Sequence, residues 1–430
     1  MQIFENCYQL NQQKFGYLSF NIGIFFLFSA PAIGSFFLII SLFFSVFFFE
    51  KEFYKDKINI FLVIVSILMI TICLAYQFNS QDEYLDYSTK LNTHPLIGLV
   101  NWIPLFFSFV GFQNYLKTQK SRLNFGLCLI FGSIPILISG FGQYLFSWYG
   151  PLDFFHGLIV WYQRENTTGM TSLFNNANYA ACALATTFPF LCASFCKNRI
   201  FDFKKIINLF LIILVIIAII FTSSRNGLIG LILGTLIFLI PLKSRIFSFG
   251  FLLFGSILFF NFVGKIFLDL TLIPENLLRK ISFMGIFNDP RILIWENAIK
   301  YISQKPFFGW GGNSFSSLWN KENELYLGHS HSIPLEISIQ YGIITSLILS
   351  TLVIFILIKS FRFIFLESNM KLISFYKENY FDRAWFASCI VILFSNVVDI
   401  VYFDIRISAL TWILIAGLRS ISKREIKNYL

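Results

Sequence analysis

The stretch INIFLVIVSILMITICLAYQF, residues 58–78, carries no charged side chain and decides the class of fold. At about 1.5 Å per residue, a helix of that length covers the roughly 30 Å of hydrocarbon in a bilayer. Its apolar residues form no single stripe, and a helix that is apolar all round needs apolar surroundings. Comparable runs recur at 17–30, 33–49, 96–114, 123–146, 178–196, 206–222, 226–241, 246–265, 332–358, 384–401 and 407–419. The chain of 430 residues is 56% hydrophobic and only 13% charged, against about a quarter charged in a soluble domain. The expected fold is an all-α polytopic membrane protein. It has about 12 transmembrane helices in a single domain, 1–430, with a long, partly helical periplasmic loop between residues 266 and 331.

Residues 17–49 make too long a helix for one crossing, at about 50 Å. Pro31 and Gly34 offer a break into two shorter ones. No cleavable leader is expected, because the first apolar run follows polar residues, contains SAPAIG and continues into further spans. Six of the seven cysteines lie in apolar runs and no CxxC pair occurs, which points to packing rather than to a disulfide framework or zinc site.

The net charge of +10 reads first as topology, since cytoplasmic loops collect Lys and Arg. With both termini cytoplasmic, KEFYKDK (51–57), KTQKSR (117–122), KNRIFDFKK (197–205), KSR (243–245), the 359–383 loop and the C-terminal tail lie inside. The short outside loops then hold only Lys90, Arg164, Arg225 and Arg406. No basic stripe is interleaved with aromatics on a soluble segment, so no nucleic-acid partner is expected.

No Asp, Glu, Lys, Arg or His stands near the centre of any expected span. Ion-coupled transporters need such groups, so the pattern speaks against that class. Glu336 lies in the first turns of span 332–358 and Asp399 near the outer end of span 384–401. Basic groups gather instead at the outer rim: Arg164, Arg225, Arg279, Lys280, Arg291, His329 and His331. Arg225 has no acidic residue within ten positions; it reads either as a snorkelling anchor or as an anion receptor. In FNDPRILIWENAIKYI (287–302), Asp289 is placed to cap a helix with Pro290 at its first position. Ile292, Trp295, Ile299 and Ile302 give that helix an apolar face for the membrane or for the bundle, and Arg291 is either a solvated residue or a ligand contact.

In GHSHSIPLEISIQYGIITS (328–346), His331 directly precedes Ser332, a good N-cap, and Pro334 suits a first turn. A histidine there serves as a general base beside an anion or is plain surface. His329 and His331 have no third ligand close in sequence, which argues against a metal pair.

Four segments, in order, resemble the O-antigen ligase and polymerase superfamily of membrane glycosyltransferases. These are TGMTSLFNNANYAA (168–181), TSSRNGLIGLILG (222–234), PRILIWENAIKYISQKPFFGWGGNSF (290–315), and His331-Ser332 followed after nine residues by Gly342-Ile-Ile-Thr345. The resemblance covers roughly residues 160–350, and Ser332 stands where the family often has Asn. It implies inverting transfer, without a metal or other cofactor, of a glycan from undecaprenyl diphosphate to an acceptor hydroxyl. The acceptor is a growing glycan or lipid A core, and the site faces the periplasm from the bacterial inner membrane. Arg225 and Arg291 are expected to hold the diphosphate and His331 to position or deprotonate the acceptor. Arg164, Asn178, Trp310 and His329 are further candidate substrate-binding residues. An inorganic-anion carrier and a protein O-glycosylating enzyme stay open as alternatives.

Overall fold

The computed structural model describes residues 2–46, 56–78, 94–165, 169–197, 203–239, 274–281, 289–323, 326–367, 379–399 and 401–428. Its helices are α1 Gln2–Phe26, α2 Pro31–Val46, α3 Lys57–Phe78, α4 Pro95–Gly98, α5 Ile103–Phe112, α6 Gln119–Phe146, α7 Ala177–Lys197, α8 Phe203–Phe221 and α9 Arg225–Leu239. They continue with α10 Glu275–Ile281, α11 Pro290–Gln304, α12 Ser314–Glu322, α13 Ile333–Phe361, α14 Tyr380–Val398 and α15 Ile405–Asn428. A small antiparallel hairpin, β1 Leu152–Phe154 with β2 Ile159–Trp161, follows α6. Among the described residues, eight helices are long and apolar enough to cross a membrane, and Pro31–Ser45 and Arg225–Leu239 are shorter apolar helices. The span expected over 246–265 lies outside the described residues. The expected loop, 266–331, holds α10, α11 and α12 in its described parts.

The break expected near Pro31 is present. Helix α1 ends at Phe26, and Pro31 opens α2 at the position where a missing N–H costs nothing. The two helices fold back on each other, with Phe15 against Phe44 at 5.2 Å and Gly23 against Leu38. Outward-facing side chains on α3 are apolar, as with Val63 and Ile67, each 58% exposed. In water that surface would be a liability, whereas in lipid it is the stable arrangement.

Side-chain contacts define two ends of the bundle. At one end Arg122 of α6 grips Asp382 of α14 with two bonds, Nε to Oδ1 at 2.6 Å and Nη2 to Oδ2 at 2.8 Å. Its Nη1 donates to the Leu116 carbonyl at 2.9 Å. Nearby, Arg419 and Lys423 of α15 converge on Asp56 at 2.9 and 2.7 Å. Between the ends the core is aromatic: Trp385 is fully buried against Phe125, 4.4 Å between ring centroids, and its indole N–H bonds the Leu414 carbonyl. At the other end the hairpin is tied down where Trp161 Nε1 donates to the Ser29 carbonyl at 2.9 Å.

Helix α13 departs from the single continuous span expected over 332–358. Gly342, at φ 82° and ψ 161°, breaks it into two pieces. A break at this depth frees backbone polar groups that lipid cannot satisfy. The segment after α11 satisfies them: Trp310 N donates to Ile339 O at 2.7 Å, Gly311 N to Gln340 O at 2.9 Å, and Ile343 N donates back to Pro306 O at 2.8 Å. Only glycines permit the approach. A Cβ on Gly342 would stand 1.9 Å from Phe307 O, and one on Gly309 would stand 2.5 Å from Ile339 O. The Gly-rich turn in PFFGWGGNSF is thus a wedge seated in a broken helix.

Candidate active site

Arg225 is the first residue of α9, directly after a turn in which Ser223 takes a left-handed φ of 52°. Ser224 caps the helix, its Oγ accepting from Gly227 N at 3.2 Å. The Arg225 guanidinium is not unpaired, as its sequence surroundings suggested. Its Nη2 meets Asp289 Oδ2 at 2.6 Å and its Nη1 donates to the Lys280 carbonyl at 3.2 Å. Asp289 also caps α11 as expected, its Oδ1 accepting from Arg291 N at 3.1 Å. One carboxylate therefore fixes the start of α11 and holds it against the start of α9, bringing Arg225 and Arg291 to the same place.

Arg291 is likewise paired, its Nη2 lying 2.9 Å from Asp399 Oδ2. Asp399 is the C-cap of α14, which ends at Val398, so its carboxyl stands just beyond the span expected to include it. The same carboxylate receives Asn178 Nδ2 at 2.6 Å and lies 3.0 Å from His331 Nδ1 through Oδ1. Burial pushes Asp399 upward, but the His331 hydrogen bond and the Arg291 charge outweigh it and hold the carboxyl below its ordinary range. An ionised carboxylate only accepts, so the neutral imidazole of His331 would bond it through an Nδ1 proton, which leaves Nε2 as the acceptor.

His331 sits immediately before the α13 N-cap Ser332, as the sequence placed it, with a left-handed φ of 55°. That conformation is strained for a residue with a side chain, and its neighbours fix it. Ser330 N donates to Glu336 Oε2 at 2.7 Å, and Gln340 Nε2 donates to Glu336 Oε1 at 2.6 Å. Ser330 Oγ also bonds the Ser332 carbonyl at 3.1 Å. His329 packs edge-on to His331, 4.6 Å between ring centroids, and stacks on Phe403 at 5.5 Å. Burial, and then the His331 charge, push its pKa down to about 4.

The structure thus gathers Arg225, Arg291, His331, Asn178 and His329 around two carboxylates. It does not bring Arg164 or Trp310 into that group. Arg164 is exposed and donates to the Asn175 carbonyl at 3.4 Å. Trp310 is buried in the wedge, with its indole N–H on the Tyr301 carbonyl at 2.9 Å. Among the described residues no three His, Cys, Asp or Glu side chains converge as a metal-binding group. Residues 210–350, which span Arg225, Asp289, Arg291 and His331, match the family model described as O-antigen ligase.

The match spans about a third of the chain and supports a likeness to the O-antigen ligase and polymerase superfamily over that stretch. No curated protein matches the chain at a significant level. The O-antigen ligase segment ends short of Asp399, the residue that joins Arg291 to His331. Sequence reasoning noted Asp399 only by its place near a span end. An ionisable group at the edge of a membrane span is itself a functional signal, and it would have singled this residue out.

Proposed function

We propose that the protein transfers a glycan from undecaprenyl diphosphate to an acceptor hydroxyl at the periplasmic face of the bacterial inner membrane. The likeness of residues 210–350 to the O-antigen ligase family supports glycan transfer in a membrane. The observation that carries the finer reading is Asp399, which binds a guanidinium through one oxygen and an imidazole through the other. That arrangement couples an anion-holding group to a proton acceptor.

In the proposed step the acceptor oxygen attacks the anomeric carbon as the bond from that carbon to the diphosphate oxygen breaks. The electron pair leaves on the diphosphate, where Arg225 and Arg291 stabilise it. The hydroxyl proton passes to His331 Nε2, and Asp399 stabilises the resulting imidazolium. A single displacement inverts the anomeric configuration. The products are the extended acceptor and undecaprenyl diphosphate. A growing glycan as acceptor makes the protein a polymerase, and lipid A core makes it a ligase.

The test is a surface-glycan gel from a deletion strain complemented with wild type or with His331→Ala at matched membrane levels. Wild type restores long chains and His331→Ala does not. Single repeats in the deletion identify a polymerase, and full chains retained on the lipid carrier identify a ligase. A glycan pattern that never changes refutes the transfer reading and makes anion uptake the next assay.

A further inference from the structure

A diphosphate diester is doubly negative, and neither arginine pair offers net charge to meet it. Arg225 is closed on Asp289 and Arg291 on Asp399, so each pair is neutral as a unit. Lys280, near the end of α10, is a cation close to both. Its Nζ donates to the Ser223 carbonyl at 3.2 Å, and its own carbonyl accepts from Arg225 Nη1 at 3.2 Å. Cations are drawn to helix C-termini, yet this ammonium reaches across to the turn before α9 instead of its own last-turn carbonyls. Among the described residues, no carboxylate forms a salt bridge with it. Burial first, and then the charges of Arg225, Arg291 and Arg279, lower its pKa. A half-buried ammonium facing like charges gains little from the fold alone, whereas an anion in its midst would relieve the repulsion.

A second observation points to the same place. Ser223, whose carbonyl holds Lys280, has its Oγ buried without a hydrogen-bond partner, and so has Asn226, next to Arg225 and only 5% exposed, at both Nδ2 and Oδ1. Both flank the first turn of α9, where a helix N-terminus favours phosphate.

We propose that Lys280 is a third phosphate-binding cation of this site, with Ser223 Oγ and Asn226 Nδ2 as accompanying donors at the first turn of α9. The assignment rests on the diphosphate-donor function above. It makes Lys280 a source of net positive charge, while Arg225 and Arg291 supply oriented, paired donors.

Calorimetric titration of the purified full chain with farnesyl diphosphate and farnesyl monophosphate tests it, using wild type, Lys280→Met and Lys280→Arg. Wild type is expected to prefer the diphosphate. Lys280→Met is expected to weaken that binding about tenfold or more, as for a lost hydrogen bond to a charged group, and Lys280→Arg to retain most of it. Equal diphosphate affinity in Lys280→Met and wild type overturns the role of Lys280 and leaves that of the arginines standing. A wild type that binds both probes equally overturns the diphosphate reading itself. Amine acetylation of the wild-type protein gives a readout independent of variant folding. Farnesyl diphosphate should shield Lys280, and unchanged labelling counts against the assignment.

Discussion

Replacing Asp399 by Asn keeps the shape of the side chain and removes one charge, with consequences that follow from the bonds the carboxylate makes. Oδ2 receives Asn178 at 2.6 Å and Arg291 at 2.9 Å, while Oδ1 faces His331 Nδ1 at 3.0 Å. An amide has one oxygen and one NH₂. With its oxygen toward His331, the NH₂ confronts two donors and both bonds are lost. With its oxygen toward Arg291, the NH₂ drives His331 into the other tautomer and the proton moves to Nε2, where the acceptor hydroxyl needs a lone pair. Hydrogen bonds to charged groups contribute about 1.5–3 kcal/mol each. A loss of about 3 kcal/mol at the transition state slows a reaction roughly a hundredfold. The assay is the initial rate of glycan transfer in proteoliposomes with lipid-linked donor, at equal protein content. Asp399→Asn is expected to lose at least about a hundredfold; a rate within about threefold of wild type refutes the orienting role. Stability provides a second readout. The pKa of Asp399 is lowered in the folded state, so its contribution is present above the ordinary carboxylate pKa and is lost as pH falls through the lowered value. The stability gap between wild type and variant is therefore expected at neutral pH and should close only in strong acid.

Gly342→Ala introduces a Cβ 1.9 Å from the Phe307 carbonyl at a φ of 82°. It should cost about 2–4 kcal/mol and displace the 306–311 wedge, read as a fall in thermal unfolding temperature; an unchanged temperature means the break is not obligatory. Arg122→Leu leaves Asp382 buried without its main partner, so a loss of about 3–5 kcal/mol is expected. Transfer per folded molecule should not change, because the pair lies at the far end of the bundle. Full stability in that variant contradicts the role given to the pair. His329 is held at a pKa of about 4 against an ordinary 6.5. On acidification the unfolded chain binds its proton first, so stability is lost as pH falls between those values. His329→Phe should flatten that slope in a pH series of unfolding temperatures, and an identical slope locates the acid sensitivity elsewhere.

Much of this arrangement was legible from local sequence. Asp289 followed by Pro290 gave the start of α11, Pro31 gave the break after α1, and Ser332 with Pro334 put His331 at a helix entrance. The ion pairs were not legible. Arg225 finds Asp289, and His331 finds Asp399, across stretches of chain whose approach depends on packing rather than on spacing. The broken α13 was hidden because a glycine inside an apolar run looks like ordinary helix until another segment is seen to fill the gap. The face of α11 was legible only as two alternatives, membrane or bundle. The structure buries Ile294, Ala298 and Tyr301, while Ile292 and Ile299 of the expected apolar face are exposed. Beside a bilayer, apolar character does not by itself distinguish a packed face from an outward one.

Asp399 has a further implication for exchanging parts between relatives. The matched segment, 210–350, supplies both guanidinium groups, the cap and the imidazole. Their shared counter-ion comes from beyond it, and the amide that steadies that counter-ion comes from before it, at Asn178. A chimera joined at the edges of the matched segment would receive the reactive groups yet borrow their keystone from the host. Such grafts would succeed or fail on the host's C-terminal helices, even where the transplanted piece is intact. The smallest interchangeable unit of this protein is therefore the stretch from Asn178 to Asp399, and a productive junction belongs before the first and after the second.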